Sequence, residues 1–112
     1  MTENWRIAIA QINCTVGDFR GNSAKIIEYA RKARGSGADI VVFPELAITG
    51  CPPEDLLLKP KFIEDNIRAV EEVARSIKDI VAVVGFVDRD NGKIYNSASV
   101  IYDHEIKGVC RK

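Results

Sequence analysis

The sequence predicts an α/β fold built on a mixed sheet, and three observations carry that expectation. The stretches Asp39 to Phe43 and Ile80 to Val87 are almost wholly apolar, as strands buried on both faces are. Each follows a segment with apolar residues at helical spacing. Beyond the second, Asp90-Asn91-Gly92 is a strong two-residue hairpin signal between β-prone segments. The resulting order, β-α-β-α-β-β-β, is half parallel and half antiparallel. Right-handed crossovers would put both helices on one face and leave the other needing a partner layer.

Arg6 to Ile12 reads as the first strand, broken by Gln11, and Cys14 to Gly21 is rich in turn formers. Asn22 or Ser23 is the expected cap of a helix with Ile26, Ile27, Ala30 and Ala33 on one face, ending at Gly35 and Gly37. The buried strand Asp39 to Phe43 follows. From Ala47 to Pro60 the chain should be irregular, because Pro52-Pro53 removes donors and fixes φ. A second helix runs from about Pro60 to Lys78 with Ile63, Ile67, Val70, Ala74 and Ile77 in phase, Pro60 suiting its first turn. Strands follow at Ile80 to Val87, Ile94 to Tyr102 and Ile106 to Arg111, the last two joined by a turn at Asp103 to Glu105. The chain stops directly after an apolar strand, at Lys112, and residues 1–112 are therefore expected to be the N-terminal part of a domain incomplete at its C-terminus.

Sixteen basic and sixteen acidic side chains cancel, and neither sign forms a block, so no nucleic-acid footprint or anionic-membrane anchor is expected. The longest apolar run is too short to span a bilayer and the N-terminus lacks a signal pattern, so a cytoplasmic location is expected. Cys14, Cys51 and Cys110 are odd in number, widely spaced and in no C-x-x-C arrangement, which argues against a disulfide framework or a zinc site. His104, the only histidine, lies in a polar turn and reads as a surface residue rather than the centre of a Ser-His-Asp relay.

The residue with the sharpest chemical reading is Glu45, in Pro44-Glu45-Leu46, where a buried strand runs out. Open α/β sheets put their chemistry just past the carboxyl ends of parallel strands, so Glu45 is poised as a general base if its neighbours are parallel. The plain alternative is a solvated loop carboxylate.

Several motifs together resemble a family: Ala10-Gln11-Ile12-Asn13, Gly21-Asn22, Gly37 to Leu46 with Thr49-Gly50, Tyr95-Asn96-Ser97-Ala98, and Val109-Cys110-Arg111-Lys112. Over the whole chain they are similar to the first half of a nitrilase-superfamily carbon-nitrogen hydrolase. The run Pro52-Pro53-Glu54-Asp55-Leu56-Leu57-Leu58 narrows the resemblance to the N-terminal glutaminase domains of bacterial glutamine-dependent NAD+ synthetases. The resemblance implies a four-layer α-β-β-α sandwich, of which this chain would form the first half, and a homo-oligomer. It implies a Glu-Lys-Cys triad in which Glu45 is the general base and Lys112 the lysine. The nucleophilic cysteine would lie further along the chain, so these residues alone should be inactive. Cys51 stands where the family usually has a substrate-pocket tyrosine. The implied substrate is L-glutamine, whose ammonia would serve amidation of nicotinic acid adenine dinucleotide. No cofactor is expected in this segment; ATP and Mg2+ are implied for a separate synthetase domain. Two rival readings stay open, a free-standing amidase acting on another small amide and a non-catalytic α/β binding module.

Amide hydrolysis suits these residue types. It needs a nucleophile stronger than water, a base to take its proton and return it to departing ammonia, and a cation or donor for the tetrahedral oxyanion. A carboxylate beside an ammonium ion would also need partial burial to keep its proton affinity close to the thiol's.

Overall fold

The computed structural model describes residues 4–112. Five strands form one sheet in sequence order: β1 (Ile7–Ile9), β2 (Ile40–Val42), β3 (Val81–Asp90), β4 (Lys93–Tyr102) and β5 (Glu105–Arg111). The β1–β2 and β2–β3 pairs are parallel, and the β3–β4 and β4–β5 pairs are antiparallel. Helices α1 (Phe19–Gly35) and α2 (Pro60–Arg75) provide the two crossovers. The mixed α/β class is as expected.

The core lies between the helices and one sheet face. Ile26, Ala30 and Ala33 of α1 and Val70, Val73 and Ala74 of α2 close over Val41, Ala82, Val84 and Ile101. Each large apolar side chain buried there contributes about 1.5–3 kcal/mol. On the other face, register aligns Ile7 with Ile40 and Val81, and Ile9 with Val42 and Val83. Ile7 and Ile9 remain 60% and 75% exposed, so that face is apolar and open.

Local details correct several expectations. The first strand has three residues rather than seven, although Ala10 N still donates to Val42 O at 2.9 Å. Helix α1 begins a turn earlier than expected: Asp18, not Asn22 or Ser23, caps it, accepting from Gly21 N at 3.0 Å. Asn22 is instead fully buried inside the helix. The segment after Pro52-Pro53 contains a short 3-10 turn, Glu54–Leu58, and the Cys51–Pro52 peptide is cis. Pro60 stands in the first turn of α2, where its missing N–H costs nothing. Asn91 and Gly92 turn the β3–β4 hairpin with φ of 50° and 76°, the left-handed pair that a tight hairpin needs.

Because β2 has only three residues, the β3 edge beyond Val83 lacks a neighbouring strand, yet its groups are satisfied. Phe43 N donates to Val83 O at 2.9 Å and Ile48 N to Gly85 O at 3.1 Å. Buried Asn66 of α2 completes the row, accepting from Val87 N at 3.0 Å and donating back to Val87 O. The loop after β2 is thereby fastened along β3.

Candidate active site

Glu45 opens that loop. Its successor Leu46 has φ of 52°, a left-handed conformation costly for a leucine, held by Gly50 N donating to Leu46 O at 2.9 Å. The turn folds back over β3 at Gly85. A Cβ on Gly85 would lie 2.5 Å from Leu46 N, 2.7 Å from Pro44 O and 3.0 Å from Glu45 C, all of them backbone atoms. Only glycine lets the Glu45 backbone rest on this strand.

Lys112 follows β5, which runs parallel to β2 after two antiparallel steps, so the two segments end at the same edge. Glu45 and Lys112 do not end neighbouring strands: β3 and β4 lie between theirs. Their side chains nevertheless meet, Lys112 Nζ standing 3.3 Å from Glu45 Oε1. Two features make this possible. The Glu45 loop arcs over β3, and the row Gly85–Ala98–Cys110 across β3, β4 and β5 carries little bulk. Lys112 is fixed by donation of its backbone N–H to Asn96 O at 2.9 Å. Just before it, Arg111 points to the opposite face, pairing with Asp88 at 2.7 Å and Asp90 at 3.3 Å while lying 4.6 Å from the Tyr95 ring centre.

Glu45 and Lys112 line a groove of about 350 Å³ whose floor includes Val83, Gly85, Ala98 and Cys110. Both side chains remain largely exposed, at 67% and 73%. The partial burial that a working base requires is therefore not provided by these residues, and an exposed pair contributes only about 0.2–1 kcal/mol to stability.

Cys51 does not line this groove. It lines an adjoining hollow of about 200 Å³, which shares Pro44 and Glu45 with the groove, together with Cys14, Asn13 and Ala47. Burial pushes the Cys14 thiol up, with Lys25 opposing the shift. His104 is exposed, with Nδ1 2.6 Å from Arg75 O, and lines a separate surface hollow with Glu71 and Arg75.

Sequence reading missed the supports of the site. Asn22 accepts from Thr15 N at 2.8 Å and donates to Thr15 O and Ile48 O at 2.8 and 2.9 Å, joining the loop after β1 to the loop carrying Glu45. Buried Thr49 places its hydroxyl 2.8 Å from Gly50 O and 3.3 Å from Leu46 O. Gly85 lies within an apolar strand, where an isolated glycine is itself a signal of close backbone approach.

The geometry brings Glu45 and Lys112 together at one edge of a mixed sheet, and comparison with known proteins gives the class. The Carbon-nitrogen hydrolase family matches residues 6–112, and the chain belongs to that family. Among its relatives is the glutamine-dependent NAD(+) synthetase of Thermotoga maritima, 43% identical over 96% of this chain and 19% of the relative. The synthetase of Xylella fastidiosa is 44% identical over 100% of this chain and 21% of its own length. The chain thus spans about one-fifth of the curated relatives it matches. The crystal structure of the Cytophaga hutchinsonii glutamine-dependent NAD(+) synthetase superposes with a TM-score of 0.92 at 32% identity, covering 96% of this chain and 19% of that one. An amidase from Nesterenkonia, 23% identical, shares the fold with a TM-score of 0.81 over 96% of this chain and 42% of that structure. The fold is that of the nitrilase superfamily.

Proposed function

We propose that this chain is the N-terminal part of the glutaminase domain of a glutamine-dependent NAD+ synthetase, with Glu45 as general base and Lys112 as the cation beside the oxyanion. The observation that carries the reading is the 3.3 Å approach of Lys112 to Glu45 across a small-residue floor, from positions 67 residues apart. The relatives, glutamine-dependent NAD(+) synthetases, supply the substrate class. Glu45 would take the proton of a cysteine thiol as it attacks the glutamine carboxamide carbon and return it to the departing ammonia. Lys112 would face the developing negative oxygen.

The thiol is none of the three cysteines in this chain. Cys14 and Cys51 lie in the adjoining hollow, and Cys110, though in the groove, sits within β5 without the strand-to-helix turn that exposes a nucleophile. On this reading the nucleophile follows Lys112 in a longer protein, and the 112 residues alone do not turn over glutamine. The same longer chain would cover the open sheet face as the second half of a four-layer sandwich and exclude water around Glu45, with homo-oligomerisation adding to that cover. Among the described residues no three His, Cys, Asp or Glu side chains cluster to hold a metal ion. ATP and Mg2+ would be held by a separate synthetase domain, where ammonia would amidate nicotinic acid adenine dinucleotide. No helix among the described residues is long and apolar enough to cross a membrane, and a cytoplasmic location fits such a biosynthetic role.

Glu45→Gln in the full-length protein tests the assignment. Glutamine-dependent synthesis should fall by about 10²- to 10⁴-fold, the usual effect of deleting a general base, while synthesis from free ammonia persists. Near-normal glutaminase turnover would return Glu45 to the role of a loop carboxylate.

A further inference from the structure

The adjoining hollow carries a second chemistry. The segments 14–17 and 48–51 lie side by side: Gly17 N donates to Thr49 O at 2.9 Å, and a Cβ on Gly50 would lie 2.5 Å from Val16 N and 2.6 Å from Thr15 C. One segment descends as the other climbs. Gly17 lies opposite Thr49 and Val16 opposite Gly50, so the next step sets Cys51 across from Thr15, one residue from Cys14. Both cysteines line the one hollow beside Glu45. Asn22 clamps the arrangement by bonding Thr15 O and Ile48 O. Cys51 is exposed and Cys14 half-buried, both as free thiols.

We infer that Cys14 and Cys51 are a reversible redox pair, oxidised by hydrogen peroxide to a disulfide that closes the hollow flanking Glu45. The exposed Cys51 thiolate attacks one peroxide oxygen, breaking the O–O bond and releasing water after protonation, and is left as sulfenic acid. Cys14 sulfur then attacks Cys51 sulfur, forming the S–S bond and expelling hydroxide, which leaves as water with the Cys14 proton. Two thiols lose two electrons in all, and one peroxide becomes two waters. The order follows from access: Cys51 is exposed and meets the peroxide first, while Cys14 is half-buried in the same hollow, where burial disfavours its thiolate as first attacker. Cys110, on β5, has no cysteine beside it in the register, its cross-strand neighbour being Ala98.

The disulfide itself is independent of the glutaminase reading; only its effect on activity rests on that reading. The test treats the native protein with hydrogen peroxide, blocks remaining thiols with N-ethylmaleimide and maps peptides by mass spectrometry. The expected result is a peptide pair joined through Cys14 and Cys51, reversed by dithiothreitol and lost when the protein is first unfolded in guanidinium. Cys14→Ala should instead let Cys51 proceed to sulfinic acid. Native protein giving a Cys51 sulfenic or sulfinic product with Cys14 still alkylatable, or pairing equally often through Cys110, would overturn the inference. In the full-length enzyme, glutamine-dependent synthesis should fall on oxidation and recover with dithiothreitol. Formation of the disulfide without any change in that activity would reject the closing of the hollow while leaving the pair, and loss without the disulfide would reject the link between them.

Discussion

Gly85→Ala should damage the site without touching any residue that reacts. The added methyl would meet Leu46 N at 2.5 Å and Pro44 O at 2.7 Å, where ordinary contacts are about 3.5–4 Å. Both are backbone atoms, so no rotamer change relieves the clash, and the Glu45 loop must lift by about 1 Å. It cannot lift freely. Ile48 N is bonded to Gly85 O at 3.1 Å and Asn22 holds Ile48 O at 2.9 Å, so the strain spreads into α1 and β3. The stability cost should be about 1–3 kcal/mol, as for overpacking elsewhere. A displacement of about 1 Å in a positioned base costs about 10²-fold in rate. The assay is glutamine- against ammonia-dependent synthesis by the full-length variant, with its urea midpoint measured in parallel. A selective drop in the glutamine reaction with a modestly shifted midpoint is the expected outcome. Wild-type glutaminase rates at an unchanged midpoint would refute the claim that the loop rests on Gly85.

Asn22→Ala should destabilise by at least about 1–3 kcal/mol, because it strands buried partners at Thr15 and Ile48, and Asn22→Asp should do no better, since it replaces a donor facing two carbonyls with an acceptor. Denaturant midpoints of the two variants decide this, and an Asp variant close to wild type would contradict the assigned amide orientation. Cys51→Tyr, which introduces the residue that the family resemblance implies at this position, should retain or improve glutamine use, read as kcat/KM for glutamine in the full-length protein. Complete loss with the fold intact would show that the pocket is built differently from the family's.

Much of the fold was legible because its signals are local. The apolar runs at Asp39 to Phe43 and Ile80 to Val87, the helical spacing from Ile63 to Ile77 and the Asn91-Gly92 turn each express a backbone preference or a one-sided burial that a short window contains. Glu45 stood out for the same reason, as a carboxylate where a buried strand stops. Lys112 and Cys51 came only from family resemblance, since nothing in their neighbours distinguishes them from surface residues.

Other features depend on which distant segments are brought together. Asn22 looked like a cap because capping and burial favour the same short polar side chain; Asp18 took the cap and Asn22 turned inward to Thr15 and Ile48. The approach of Glu45 to Lys112 required two antiparallel steps to return β5 to the direction of β2, and small residues at Gly85 and Ala98 to leave the space between them clear. The side-by-side course of segments 14–17 and 48–51 likewise arises from long-range backbone contact. Periodicity and turn chemistry therefore determined the elements and their order, while register and close backbone approach decided which side chains meet, because those depend on atoms that only the folded chain makes neighbours.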